Sequence, residues 1–347
     1  MIKIGILGFG YMGKQHYNFI TREKNMEVIA IHDIDIAKEQ EANKLNIKFY
    51  KNKKDFIEDS SINLVIICTP NQFHKNYSIE CMKSGKHVIC EKPVTLNCSE
   101  FEEILKVSKE YNRKFIVHQN RRWDKDFLLV KEIINQNLLG NVLSIESRIQ
   151  GQRGIVFGWR AFKDSGGGMI YDWCIHQIDQ ILMLFPKNNV ISVYALSKNV
   201  HTVQVEDYYK ITLLLDNNII INLECGIFAL QKLPRWYIYG DKGTFMLDDF
   251  NVENAKLSRI HKDAVIDINS STDSHISTSR TMQPLTPNQI YNYPLPEIND
   301  NTNFYTYIAD YIDGKITSPV ENTTIIKDMK IIDAIFLSIK EKKIIYL

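Results

Sequence analysis

The chain has 347 residues, enough for two domains that each bury a core, and its 44% hydrophobic and 24% charged content is ordinary for a soluble globular protein. A formal net charge of +1 gives nucleic acid or an anionic membrane no electrostatic hold. No apolar run reaches the roughly 18 residues of a membrane-spanning helix, so neither kind of partner is expected.

Ile2 to Leu7 is apolar and of strand length, and it meets Gly8-Phe9-Gly10-Tyr11-Met12-Gly13, after which Lys14 to Ile20 is helix-compatible. That order suits a dinucleotide site. Gly8 permits a tight turn, Gly10 lets backbone approach a pyrophosphate, and Gly13 lets helix pack closely on strand. The helix N-terminus offers unpaired N–H groups to the phosphates. A second strand, Val28 to Ile31, ends at His32-Asp33, and Asp33 lies 20 residues past Gly13, where a carboxylate accepts the adenosine ribose hydroxyls. Asp33 would repel a 2′-phosphate and Ile34-Asp35-Ile36 supplies no arginine, so NAD is expected over NADP, with Lys14 and Lys38 the cations that could reverse the choice.

Asp35 to Leu45 reads as a polar helix, followed by a short strand near Ile47 to Tyr50. Leu64 to Cys68 is a continuous apolar run of the kind buried on both faces, and it breaks at Thr69-Pro70-Asn71. A helix is expected from His74 to Ser84. The strand from Lys86 to Cys90 breaks at Glu91-Lys92-Pro93, and Ser99 is a plausible cap for a helix reaching Tyr111. Phe115 to His118 closes the series. This β-α alternation over 1–120 predicts a doubly wound parallel sheet, the Rossmann arrangement. Its ligands lie outside the carboxyl ends of the strands, so the strand breaks, including Gln119-Asn120-Arg121-Arg122, should line one crevice.

From 121 to 347 the pattern changes to an α+β domain on a mostly antiparallel, open-faced sheet. Val142 to Ile149 is strand-like, and a helix from Met169 to Phe185 follows three glycines. Tyr209 to Leu215 with Ile219 to Leu223, and Trp236 to Tyr239 with Thr244 to Leu247, read as hairpins. Asn251 to Asp300 is polar and reads partly as a long loop, a candidate flap over the site. Phe304 to Ile312 and Ile325 to Ile339 read as closing helices. Six cysteines without a C-x-x-C pair suit reduced thiols better than disulfides or zinc. The apolar N-terminus lacks the basic leader and cleavage site of a signal peptide, so a cytoplasmic location is expected.

In Gly166-Gly167-Gly168-Met169-Ile170-Tyr171-Asp172-Trp173-Cys174-Ile175-His176-Gln177-Ile178-Asp179, a helix from Met169 would put Asp172, His176 and Asp179 on one face. Spacing alone leaves a catalytic stripe and a solvated stripe with a His–Asp pair equally open. A metal site is disfavoured because no further ligand cluster is evident. Trp159-Arg160 reads first as a packed aromatic beside a surface arginine, and both are retained as candidate cofactor contacts.

The Gly-rich turn, Thr69-Pro70-Asn71-x-x-His74, Glu91-Lys92-Pro93 and the Gly166 to Asp179 segment, in this order, resemble the Gfo/Idh/MocA oxidoreductases over nearly the whole chain. Gln119 to Asp124 is similar to the branch containing scyllo-inositol dehydrogenases. The resemblance implies a hydride transfer between nicotinamide and a secondary alcohol of a cyclic polyol, sugar or sugar derivative. Lys92 and His176 would form the acid–base pair, and Asp172 would orient the substrate and the histidine. It implies a cofactor site from Gly8 to Gly13, Asp33, Thr69, Pro70, Asn71, His74, Glu91, Lys92, Gln119 and Arg122, and a homodimer or homotetramer through the second sheet. Cys174 stands where the family usually has glycine and would narrow the pocket. An oxidation–elimination enzyme that returns the hydride, and a cofactor-binding regulator without turnover, are the alternatives.

Overall fold

The computed structural model describes residues 1–154, 156–261, 288–298 and 300–347. Its first third alternates strands and helices: β1 (Ile2–Leu7), α1 (Tyr11–Ile20), β2 (Met26–His32), α2 (Lys38–Lys44), β3 (Lys48–Tyr50), α3 (Lys53–Glu58), β4 (Leu64–Ile67), α4 (His74–Lys83), β5 (His87–Cys90), α5 (Cys98–Glu110) and β6 (Phe115–Val117). The six strands pair in the order β3-β2-β1-β4-β5-β6, all parallel. This is the doubly wound order, with its switch point between β1 and β4. Leu64, Val65, Ile66 and Ile67 are fully buried, as a strand covered by helices on both faces requires.

After α6 (Lys125–Asn135) the chain enters a nine-stranded sheet made from β7 (Val142–Gln150), β8 (Val190–Lys198), β9 (Tyr208–Leu215), β10 (Ile220–Gly226), β11 (Trp236–Gly240), β12 (Gly243–Leu247), β13 (Lys256–Ile260), β14 (Ile290–Asn292) and β15 (Ile345–Tyr346). Their order is β14-β13-β12-β11-β7-β10-β9-β8-β15, and every pair is antiparallel except β7 with β10. One face is buried beneath α7 (Ile175–Leu184) and α9 (Asn322–Glu341), while α8 (Ile308–Ile312) lies beside the first sheet's α1 and β6 through the preceding Phe304 and Tyr305. The other face carries exposed Tyr194, Leu196, Ile220, Tyr237 and Tyr239. Helix α9 also reaches back to the first sheet, where Asn322 donates to the Phe115 carbonyl and the Cys98 amide donates to Asp333.

Several local expectations are corrected. The cap of α5 is Asn97, whose side chain accepts from the Glu100 amide, and Ser99 is already helical. Helices α3 and α6 have no counterpart in the sequence reading. Within Asn251 to Asp300, β13 and β14 form the sheet edge instead of loop, and residues 262–287 of the candidate flap lie outside the described residues. The segment from Met169 begins with a π-helical turn, Ile170–Cys174, before α7. That turn rotates Asp172 relative to the α-helical register that would have aligned it with His176 and Asp179.

Candidate active site

The Gly-rich turn joins β1 to α1 beside the switch point. Gly8 has φ +94°, and a Cβ there would strike the Cys68 carbonyl 2.7 Å away. A Cβ on Gly13 would collide with the Gly8 carbonyl, whereas one on Gly10 would meet nothing within 4 Å. The crowded positions pack turn on strand, and the open one faces the crevice. Gly10 caps α1 without a side-chain hydrogen bond, so the first amides of α1 stay available to an anion. Asp33 closes this corner by accepting from the Phe9 amide (2.6 Å) and the Asp35 amide (2.8 Å). The buried Thr69 hydroxyl has no hydrogen-bond partner among the described residues. An open glycine, uncapped amides, an edge carboxylate and an orphan hydroxyl fit a dinucleotide. Tyr11 is exposed and Met12 half-buried at the rim, but the Phe9 ring is in the core against Tyr17, so Phe9 offers only backbone.

The other strand ends are stitched together around this corner. His74 bonds the Pro93 carbonyl through Nδ1 and the Thr69 carbonyl through Nε2. The ring thus lies between two loop carbonyls and braces them, with its one N–H shared between two possible acceptors. Asn71 donates to the Gly166 carbonyl (2.7 Å), docking the first lobe against the loop that leads to the π turn. Pro70 remains half-buried at the rim.

The expectation of a cofactor contact at Glu91 is corrected. It points away from the crevice, and its Oε1 accepts from His16 Nε2 and from His118 Nδ1, each at 2.7 Å. Burial opposes the carboxylate, yet His118 and His16 outweigh it and hold Glu91 well below the usual carboxylate range. Tyr305 completes the network on His16 Nδ1. His16, Glu91 and His118 are close enough to share a cation, but the facing atoms are engaged with one another. His16 sits one turn into α1, three residues past Gly13, and that spacing is the only sequence signal for it.

Lys92 turns the other way from Glu91. Its ammonium donates to the Asp172 carboxylate (Oδ1, 2.8 Å) and to the Asp172 carbonyl (2.7 Å), bridging β5 of one lobe to the π turn of the other. Arg160 Nε reaches the same Oδ1 at 3.3 Å while its guanidinium lies over the Trp159 ring. The arginine therefore belongs to the catalytic-side cluster, not to a bare surface. Burial works against ionisation of Asp172, but Lys92 and Arg160 prevail and lower its titration. His176 is 3% exposed on the first turn of α7, and its Nδ1 bonds Gln119 Oε1 at 3.0 Å. Burial, then the charges of Lys92 and Arg121, push His176 well below the ordinary histidine range, so the ring is neutral.

Two further assignments are revised here. Asp172 does not orient His176, because its carboxylate is taken by Lys92 and Arg160 while Gln119 holds the ring. Arg122 is buried, with a bidentate hold on Asp179 and a further bond to the Pro319 carbonyl, so each of its three guanidinium nitrogens is engaged within the protein. Cys174 is fully buried beneath the helix near Tyr209 and Cys225, so it does not narrow the crevice. Glu206 was missed by sequence reasoning: it accepts from the Ile170 amide and so caps the π turn from a distant loop.

Two family models match in tandem: the oxidoreductase family with an NAD-binding Rossmann fold over residues 2–119, and the GFO/IDH/MocA C-terminal domain over 127–246. A solved NAD-binding protein from Listeria innocua is 32% identical with a TM-score of 0.89, over 99% of this chain and 96% of that one. An uncharacterised oxidoreductase of Schizosaccharomyces pombe is 30% identical over 74% of this chain and 73% of its own length. The scyllo-inositol 2-dehydrogenase (NADP(+)) of Bacillus subtilis is 28% identical over 100% of this chain and 96% of its own. With a turn built for a dinucleotide, a cross-lobe Lys92–Asp172 pair and matches to both halves, the chain belongs to the Gfo/Idh/MocA family of nicotinamide-dependent oxidoreductases.

Proposed function

We propose that the chain is an NAD-dependent dehydrogenase that oxidises a secondary alcohol of a cyclic polyol, sugar or sugar derivative, and reduces the ketone in reverse. The observation that carries this reading is the convergence of Lys92 and Asp172 across the two lobes beside a neutral His176. When bound, the nicotinamide accepts or supplies the hydride. The protein's part is to hold the alcohol and move its proton. His176 Nε2 has no hydrogen-bond partner among the described residues, so its lone pair is free to take that proton. The Lys92 ammonium, steadied by Asp172, can donate to the same oxygen and stabilise negative charge as it develops. In reduction the roles reverse. Half-exposed Arg160 and Trp159 stand at the edge of this cluster, placed to meet sugar hydroxyls.

The choice of NAD rests on Asp33 and on the engagement of both nearby lysines, since Lys14 and Lys38 each pair with Glu41, at 2.6 and 2.8 Å. The NADP(+) in the name of the Bacillus subtilis relative argues the other way and makes the comparison of cofactors necessary. The apolar outer face of the second sheet supports a homo-oligomer joined sheet to sheet. The unpaired state of all six cysteines is what a cytoplasmic location would require, and no described helix is long and apolar enough to cross a membrane. The test is a panel of inositols, aldoses, sugar phosphates and nucleotide sugars followed by NADH absorbance. Activity on at least one cyclic polyol or sugar is expected, and no NADH from any of them would overturn the assignment.

A further inference from the structure

Gln119 lies immediately beyond β6 of the first sheet, is 1% exposed, and reaches across to a histidine of the second lobe. Among the described residues it is the only hydrogen-bond partner of the His176 ring. The neighbouring carboxylate that could have oriented the ring, Asp172, is committed to Lys92 and Arg160. Trp173 packs edge-on against the imidazole with centroids 6.2 Å apart, so the ring plane is braced as well as its Nδ1 corner. We propose that Gln119 is a positioning residue that keeps the His176 proton on Nδ1 and the lone pair on Nε2, so that the ring meets the substrate hydroxyl as a base.

The argument rests on the dehydrogenase reading above for its consequence, though not for its chemistry. An imidazole has one donor and one acceptor nitrogen when neutral, and the partner of one nitrogen selects the role of the other. The amide oxygen toward Nδ1 demands a proton there. The charged groups acting on the ring are Lys92, Arg121, Glu91 and His118, with Lys92 and Arg121 the strongest. Those cations favour a lone pair on the remaining nitrogen and disfavour a second proton. A carboxylate at position 119 would orient the ring too, but would also stabilise the imidazolium. A glutamine orients without adding charge, which suits a base that must be neutral before it acts. The amide nitrogen of Gln119 is buried and has no partner among the described residues, so the bond from its oxygen to His176 is the side chain's one polar contact there.

The test uses the full-length chain labelled with ¹⁵N-histidine and long-range proton–nitrogen correlation, with the His176 signals assigned by their loss in His176→Asn. The wild type is expected to show a neutral ring protonated on Nδ1. Gln119→Glu should move the ring's titration, and the acid limb of kcat/KM, upward by at least about one pH unit. Gln119→Leu should mix the two tautomers and lower kcat on the order of a hundredfold. A ring protonated on Nε2 in the wild type, or a titration unmoved in Gln119→Glu, would overturn the proposal. Because the spectrum reads the ring without turnover, a chain that oxidises no alcohol would defeat the dehydrogenase reading while leaving this one decided by the tautomer.

Discussion

Asp172 and Asp179 stand seven residues apart on one continuous helical segment and look equivalent in the sequence. The structure gives them opposite surroundings. Asp172 keeps 22% of its side chain exposed and meets Lys92 and Arg160 at the crevice. Asp179 keeps 2% and is sealed against Arg122, with Asp328 of α9 facing it from the core. In the open cluster the cations are partly hydrated and a ligand can share them. In the sealed cluster the charges have been withdrawn from water, and the ion pair can only brace the segment after β6 against α7. The same residue type at helical spacing thus serves chemistry in one place and scaffold in the other, decided by what packs over it.

The largest effect expected from the open cluster is on rate. Lys92→Ala should lower turnover by about 10²- to 10⁴-fold, the usual reach of a positioned proton donor or acceptor. NADH binding, followed by fluorescence, should persist, and the urea midpoint should stay close to that of the wild type. A collapse of stability on the scale of the sealed cluster would break the distinction. The pH profile sharpens it. Because His176 is held below the ordinary histidine value of 6.5, its neutral form persists as the pH falls through that value. The acid limb of kcat/KM belonging to this group should therefore appear clearly below 6.5, and a limb at or above it would contradict the assignment of His176 as a buried neutral base.

For the sealed cluster the expected change is in stability. Asp179→Ala leaves the Arg122 guanidinium buried without its counter-ion, which costs about 3–5 kcal/mol. Urea denaturation should show that loss while the protein remaining folded keeps near-normal turnover. Asp328 adds a pH dependence of opposite sign to an ordinary ion-paired carboxylate. Burial and the charge of Asp179 raise its titration well above 3.8, with Arg122 only partly offsetting them, and a hydrogen bond to Asp179 further favours the protonated form. The contribution of its neutral form is complete below the unfolded value and is lost as the pH rises through the folded one. Asp328→Asn should abolish that loss. Equal sensitivity of wild type and variant as the pH rises above the ordinary carboxylate value would show that Asp328 is ionised in the folded chain.

How much of this was legible in the sequence follows from the same contrast. Continuous apolar runs such as Leu64 to Ile67 announced buried parallel strands, and Gly8 with Gly13 announced a turn pressed against a strand, because both signals are local. The cross-lobe partners were not local. Gln119 finds His176 and Lys92 finds Asp172 only after the second sheet has placed α7 over the ends of β5 and β6. Glu91 and Lys92 are adjacent, and a strand end sends them to opposite sides, which no spacing rule decides in advance. Helix α3 escaped notice because six residues with two buried apolar side chains leave hardly any periodicity. The parallel pairing of β10 with β7 joins segments about seventy residues apart, so hairpin signals could not show it. The π turn left no compositional mark at all.

Asp33 is a third kind of carboxylate, and it supplies the smallest expected effect. It is neither ion-paired nor sealed, being held by the amides of Phe9 and Asp35 at the rim of the crevice. Replacing its charge should therefore disturb neither rate nor stability greatly, provided an acceptor for those amides remains. Asp33→Asn keeps an acceptor for one of the two amides, which bond different oxygens of the carboxylate, and removes the repulsion toward a 2′-phosphate. Lys14 and Lys38 lie close by on Glu41 and could then turn to such a phosphate, since exposed pairs of this kind hold their partners weakly. The ratio of kcat/KM for NADP over NAD should rise by about tenfold, equivalent to ~1.4 kcal/mol. A wild type that already prefers NADP tenfold would sink the NAD assignment and would mean that the lysines leave Glu41 when cofactor binds. An unchanged ratio in the variant would place discrimination elsewhere on the rim, and Asp33 would then be a brace for the Gly-rich turn, closer in kind to Asp179 than to Asp172.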